Sequence, residues 1–89
     1  MKRKKSGPSD KVSVTISKYD YEYILKQTLV EAEAFGLGAV TGDKITFSLS
    51  AEEIEYIQDY IAAEANHTKS KRVERELDRL FDLLESYRN

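Results

Sequence analysis

From Lys11 the apolar residues Val12, Val14 and Ile16 alternate with Ser13, Thr15 and Ser17, and from Lys44 the residues Ile45, Phe47 and Leu49 alternate with Thr46, Ser48 and Ser50. A period of two is the pattern of a strand with one dry and one wet face. Each stretch then changes to helical spacing. After Ser17 the residues Tyr21, Ile24, Leu25, Thr28, Leu29, Ala32 and Phe35 fall on one side of a helix, and Gly36-Leu37-Gly38 supplies its stop. Ser17 is placed as its N-cap, with Asp20 complementing the free amides of the first turn. Ser50 and Glu53 match a capping box that opens a second helix with Ile54, Ile57, Ile61 and Ala65 on its apolar side. Asn66 to Thr68 reads as a turn. Thr68 or Ser70 can then cap a third helix bearing Val73, Leu77, Leu80, Phe81, Leu84 and Tyr87 at helical spacing. Between the two strand-helix stretches, Gly42-Asp43 predicts a two-residue hairpin turn joining a short strand at Ala39 to Thr41 with the strand that follows.

The predicted fold is α+β, a small two- or three-stranded sheet packed against three helices in the order β-α-(β)-β-α-α. One domain spans 10–89, with strand-helix units at 10–35 and 43–66 and a C-terminal helix at about 70–88. Shifting the sequence by 33 positions pairs Asp10 to Glu33 with Asp43 to Asn66, and eight of those 24 pairs are identical. Polar caps and apolar stripes recur at forced spacings in any such unit. The Asp-Lys openings, the Glu-Tyr-Ile triplets at 22–24 and 55–57 and the Glu-Ala pairs at 31–32 and 64–65 are not forced, so we read the unit as duplicated. Two units are too few for a solenoid and fit either closure about a pseudo-twofold axis or joining with a second chain so that two small sheets become one.

At 89 residues the chain makes one small domain, and a body of this size buries only about 60% of its unfolded surface, so self-association is expected. The net charge of -2 is unevenly spread. Lys2, Arg3, Lys4 and Lys5 supply four of the 14 basic residues in a segment, 1–9, expected to be a disordered basic tail. Removing them leaves ten basic against 16 acidic residues, a body of about -6. There is no cysteine, so disulfides and thiolate metal sites are excluded. No apolar run nears the roughly 18 residues that cross a bilayer, and the basic start leads into Ser-Gly-Pro-Ser instead of an apolar signal core, so a cytoplasmic protein without membrane attachment is expected.

Catalytic chemistry is thinly served. The one histidine, His67, sits where the second helix should end, a place that suits the helix dipole. GLGAVTGDKIT lacks the Gly-Lys-Ser/Thr ending of a phosphate loop and leads into a strand, and no nucleophile elbow is present. Asn66-His67-Thr68 fits the glycosylation pattern but reads as a turn. The carboxylates, among them Glu31, Glu33, Glu52, Glu53 and Glu64, read as solvated helix surface. We expect no catalytic residue, no cofactor and no metal, and hence not an enzyme.

The leading expectation is a small protein-protein interaction or assembly module that forms a homodimer or binds another protein, through the third helix and the tyrosines Tyr19, Tyr23, Tyr56 and Tyr87. The alternative partner is nucleic acid. From Lys44 to Tyr87 the order strand, helix, turn, helix resembles the ribbon-helix-helix DNA-binding topology, in which polar residues of paired antiparallel strands enter the major groove. That resemblance implies that Lys11, Ser13, Thr15, Lys44, Thr46 and Ser48 face bases. It also implies that Lys69, Lys71, Arg72 and Arg75, near the start of the third helix, meet phosphate with the help of the basic tail.

Overall fold

A computed structural model describes residues 10–88, so the basic segment expected to be disordered lies outside the described residues. The elements follow the order β1 (Lys11–Ser17), α1 (Lys18–Gln27), a single 3-10 turn (Ala32–Ala34), β2 (Gly38–Thr41), β3 (Lys44–Ser50), α2 (Ala51–His67) and α3 (Lys71–Arg88). The fold is α+β, with β3 central in an antiparallel sheet of order β1-β3-β2. The short strand left open by the sequence pattern is real. Gly42 takes φ 62° in the turn between β2 and β3, the left-handed conformation that a primed two-residue hairpin needs at its first position.

The strand pairing has an internal symmetry. Lys11 faces Ser50, Ser17 faces Lys44, and at the centre Val14 faces Phe47. Since Ser17 and Ser50, Lys11 and Lys44, and Val14 and Phe47 are each 33 positions apart, an approximate twofold axis through the Val14–Phe47 pair relates the two strands in register. Each strand then runs straight into a capped helix. Ser17 Oγ accepts from the Asp20 amide at 3.0 Å and Ser50 Oγ from the Glu53 amide at 3.1 Å, while the Glu53 carboxylate accepts from the Ser50 amide at 2.8 Å to complete the box.

The two helices part company after that. The spacing carries the first helix to Phe35, but α1 stops at Gln27. Thr28 turns extended (φ -123°, ψ 177°), its hydroxyl donates to the Ile24 carbonyl at 2.7 Å and accepts from the Val30 amide at 3.1 Å. A threonine that supplies these bonds offers the backbone an alternative to the next helical turn. The chain then leaves Leu29 81% exposed, buries Val30 and delivers Phe35 to the core from a loop. There Phe35, Tyr21 and Phe47 form an aromatic triangle with ring centroids 4.9 to 5.3 Å apart. Two of the eight identities found at the 33-residue shift, Glu31 and Ala32, therefore lie in the loop and at the start of the 3-10 turn, where Glu64 and Ala65 lie in a helix.

All three helices contribute to one core on the apolar side of the sheet. Val14, Ile16, Ile45, Phe47 and Leu49 meet Ile24 of α1, Ile54, Ile57 and Ile61 of α2, and Leu77, Leu80 and Leu84 of α3. Gly38 is required by this packing, because a Cβ there would sit 2.5 Å from Ile45 Cγ2 and 2.7 Å from the Phe47 ring. The α2–α3 hairpin is locked by Gln58, which is 1% exposed. Its amide donates to the Phe81 carbonyl at 3.1 Å and to Glu85 at 3.0 Å, and its oxygen accepts from Arg88 at 3.0 Å. Among the described residues no helix is long and apolar enough to cross a membrane.

Candidate nucleic-acid interface

Because side chains alternate along a strand, packing one face of the sheet under the helices sends the other set to water. That outer face consists of Lys11, Ser13, Thr15 and Ser17 on β1, Lys44, Thr46 and Ser48 on β3, and Ala39 and Thr41 on β2, while Ser50 at the end of β3 is buried where it caps α2. The six strand residues singled out from the sequence lie together on it. Lys11, Ser13, Thr15, Lys44 and Ser48 are exposed and Thr46 is half-exposed, its hydroxyl 2.8 Å from that of Thr15. Neither strand places a carboxylate on this face, although the body as a whole is acidic.

The two lysines are unequal. Lys11 reaches Glu53 at the start of α2, 2.8 Å away, and this ammonium, with the Ser50 amide, holds the Glu53 carboxyl below its ordinary titration range. Lys44, its image across the twofold, makes no ion pair among the described residues. The carboxylate corresponding to Glu53 is Asp20, and it bonds Arg79 of α3 at 2.8 Å instead. Arg79 also bonds Glu76, and these contacts, that to Asp20 foremost, raise its pKa so that it stays cationic throughout.

The basic cluster is not beside the strands. α3 runs with its C-terminal end against β1, where the Tyr87 hydroxyl donates to the Thr15 carbonyl at 3.1 Å and accepts from the Thr15 amide at 3.4 Å. Arg72 lies 15 residues earlier, about 22 Å along the helix at 1.5 Å per residue. Lys69, Lys71, Arg72 and Arg75 are all exposed there, and Lys71 is 3.6 Å from Glu74. Arg72 borders a cleft between α1 and α3 that is also lined by Tyr19, Tyr23, Gln27, Ser70 and Glu76. Tyr19 and Tyr23 stack in a tilted pair at 6.0 Å, and burial, then Glu76, pushes the Tyr23 phenol pKa up.

The four tyrosines named from the sequence are thus scattered. Tyr19 and Tyr23 flank the α1–α3 cleft, Tyr56 packs edge-on against Tyr60 on the outside of α2, and the hydroxyl of Tyr87 is taken by the edge of β1. The third helix offers no free apolar stripe, since Leu77, Leu80 and Leu84 are buried within the chain. Sequence reasoning missed Ala39 and Thr41 as members of the outer face, the Asp20–Arg79 pair and the buried Gln58. Gln58 had a signal, because it stands four residues after Ile54 in the apolar stripe of α2. The Asp20–Arg79 pair joins residues 59 positions apart and had none. No family model, curated protein or solved structure matches the chain.

Proposed function

We propose that the chain is a single-chain nucleic-acid-binding module in which a duplicated strand-helix unit supplies both strands of one reading ribbon. The observation that carries this is the outer face of β1 and β3, where the strands contribute two lysines among serines and threonines and no carboxylate of their own, Glu53 of α2 reaching the face at Lys11, on a body of about -6. A protein with that overall charge repels a polyanion unless one surface is cleared of negative charge. The ribbon also has the approximate twofold of duplex DNA, with a capped helix following each strand, which is the arrangement of the ribbon-helix-helix topology built from one chain instead of two. In this reading Ser13, Thr15, Thr46 and Ser48 meet base edges, while Lys11, Lys44 and the basic segment 1–9 meet phosphate. The module acts without catalysis or cofactor and works in the cytoplasm. The cluster at Lys69 to Arg75, about 22 Å away along α3, meets backbone only on a duplex long enough to pass both places.

Fluorescence anisotropy with a labelled mixed-sequence duplex tests the reading. About six phosphate contacts, from Lys11, Lys44 and the four basic residues of segment 1–9, predict binding that weakens about a thousandfold between roughly 50 and 200 mM salt. Replacing Lys44→Ala together with Ser48→Glu removes binding while the circular dichroism spectrum stays unchanged. Absence of binding at the lower salt, or binding indifferent to that double substitution, overturns the reading.

A further inference from the structure

The two edges of the sheet are finished differently. On β1 the outward backbone groups of Thr15 are both bonded by Tyr87. Among the described residues β2 has no such cover: all four of its residues are exposed, Val40 is 59% and the preceding Leu37 99% exposed, and the run from Leu37 to Gly42 carries no charge. An uncharged, uncovered edge with apolar side chains is a template for another strand.

The direction of its hydrogen bonds can be worked out. The Gly42-Asp43 hairpin pairs Thr41 with Lys44, and in a two-residue hairpin the residues flanking the loop exchange backbone bonds. Alternation makes Ala39 and Thr46 the next bonded pair, so Gly38 and Val40 point their N–H and C=O groups away from β3. The same alternation turns Thr46 toward β2 and hence Thr15 outward, where the Tyr87 hydroxyl is found.

We infer that β2 pairs with β2 of a second copy, antiparallel about a twofold at Ala39. In that register Gly38 of each copy opposes Val40 of the other, and the two pairs, exchanging two bonds each, close all four outward groups. A twofold at Val40 instead would satisfy only Val40 and set Gly38 against the turn glycine. The Ala39 register also lays Val40 beside a glycine with no side chain of its own, over which the partner's Ile45 and Phe47 lean. On β1 the Tyr87 hydroxyl occupies the outward groups of Thr15 in the middle of the edge and so interrupts any strand added there, which leaves β2 as the uninterrupted edge for a closed pair. At about 24 Å between its outermost strands, the six-stranded sheet is wider than the roughly 12 Å major groove. Pairing and groove binding are therefore alternative states of one chain.

The chain has no cysteine, so single cysteines report the register directly. Opposed Ala39 residues form a non-bonded pair with Cα atoms about 4.5 Å apart, within disulfide reach, whereas the two copies of Thr41 are about 14 Å apart. Under mild oxidation Ala39→Cys cross-links to a dimer and Thr41→Cys does so about tenfold less or not at all. In sedimentation equilibrium the unmodified chain dimerises within the high-micromolar range, and Val40→Lys weakens this about tenfold or more with an unchanged fold by circular dichroism. A chain that stays monomeric throughout that range, or equal cross-linking at positions 39 and 41, overturns the inference.

Discussion

The β1–α1 and β3–α2 units open with the same Asp-Lys pair, cap their helices with serines at the same position and set Val14 and Phe47 opposite each other, yet α1 runs for ten residues and α2 for seventeen. The divergence begins where residues 28–30, Thr-Leu-Val, correspond to residues 61–63, Ile-Ala-Ala. Thr28 bonds back to Ile24 and the chain turns away, while Ile61 is buried and two alanines, the best helix formers, carry α2 onward. Likeness of strand and cap fixes how a unit begins. Where it ends depends on one side chain that can satisfy the backbone in another way. The surroundings differ too: β3 has a strand on each side, and β1 has only one.

The comparison is broken most severely at its centre. Val14 and Phe47 are equivalent in register, but Phe47 also anchors the triangle with Tyr21 and Phe35. Phe47→Ala should cost about 3–5 kcal/mol, a large part of the stability of so small a domain. Val14→Ala should cost about 2 kcal/mol for the two carbons removed. Urea unfolding midpoints measure both, and equal losses would mean that the twofold extends to the energetics, against the asymmetric packing described above.

What the sequence discloses follows the range of the interaction. Period-two alternation at 14–16 and 45–49, the serine caps and the hairpin turn are local, and each lies where its pattern placed it, whereas Val12, read as part of the dry face, is 43% exposed at the start of β1. The outer face was legible for the same reason, since alternation alone divides Lys11, Ser13 and Thr15 from Val14 and Ile16. The end of α1 was misread because Thr28, Ala32 and Phe35 keep helical spacing even though the chain does not. Phe35 is buried as the pattern said, but it arrives from a loop. The separation of the basic cluster from the strands was hidden altogether, as it depends on the direction in which α3 crosses the sheet. That direction is fixed by contacts such as Tyr87 with Thr15, 72 residues apart.

A second asymmetry lies in the equivalent carboxylates Asp20 and Glu53, which take different cations. The Asp20 side chain is nearly buried beneath Arg79, whereas Glu53 and Lys11 are both about half exposed. Asp20→Ala should therefore cost about 2 kcal/mol and Glu53→Ala about 1 kcal/mol, the latter mostly through the capping box. Acid gives a second test of Glu53. The Glu53 carboxyl titrates below its ordinary value, so its contribution is complete above the ordinary glutamate range and disappears as pH falls through the lowered value. The stability difference between the unmodified chain and Glu53→Gln should shrink across that acid window. A difference that grows there would reverse the assigned sign.

The smallest effect concerns the outward backbone groups of Thr15 on β1, bonded by a tyrosine hydroxyl, whereas β3 is paired by β2 from Lys44 to Phe47. Tyr87→Phe keeps the ring and removes the two contacts to Thr15, which should cost about 0.5–1.5 kcal/mol. Global unfolding hardly registers so little, but amide exchange does. In a dilute sample the Thr15 amide should exchange slowly and that of Val40, on the uncovered edge, quickly. In Tyr87→Phe the Thr15 rate should rise toward that of Val40. Should Thr15 stay slow in that variant, the body of α3 would be what closes the edge, and the hydroxyl would only mark where the helix crosses.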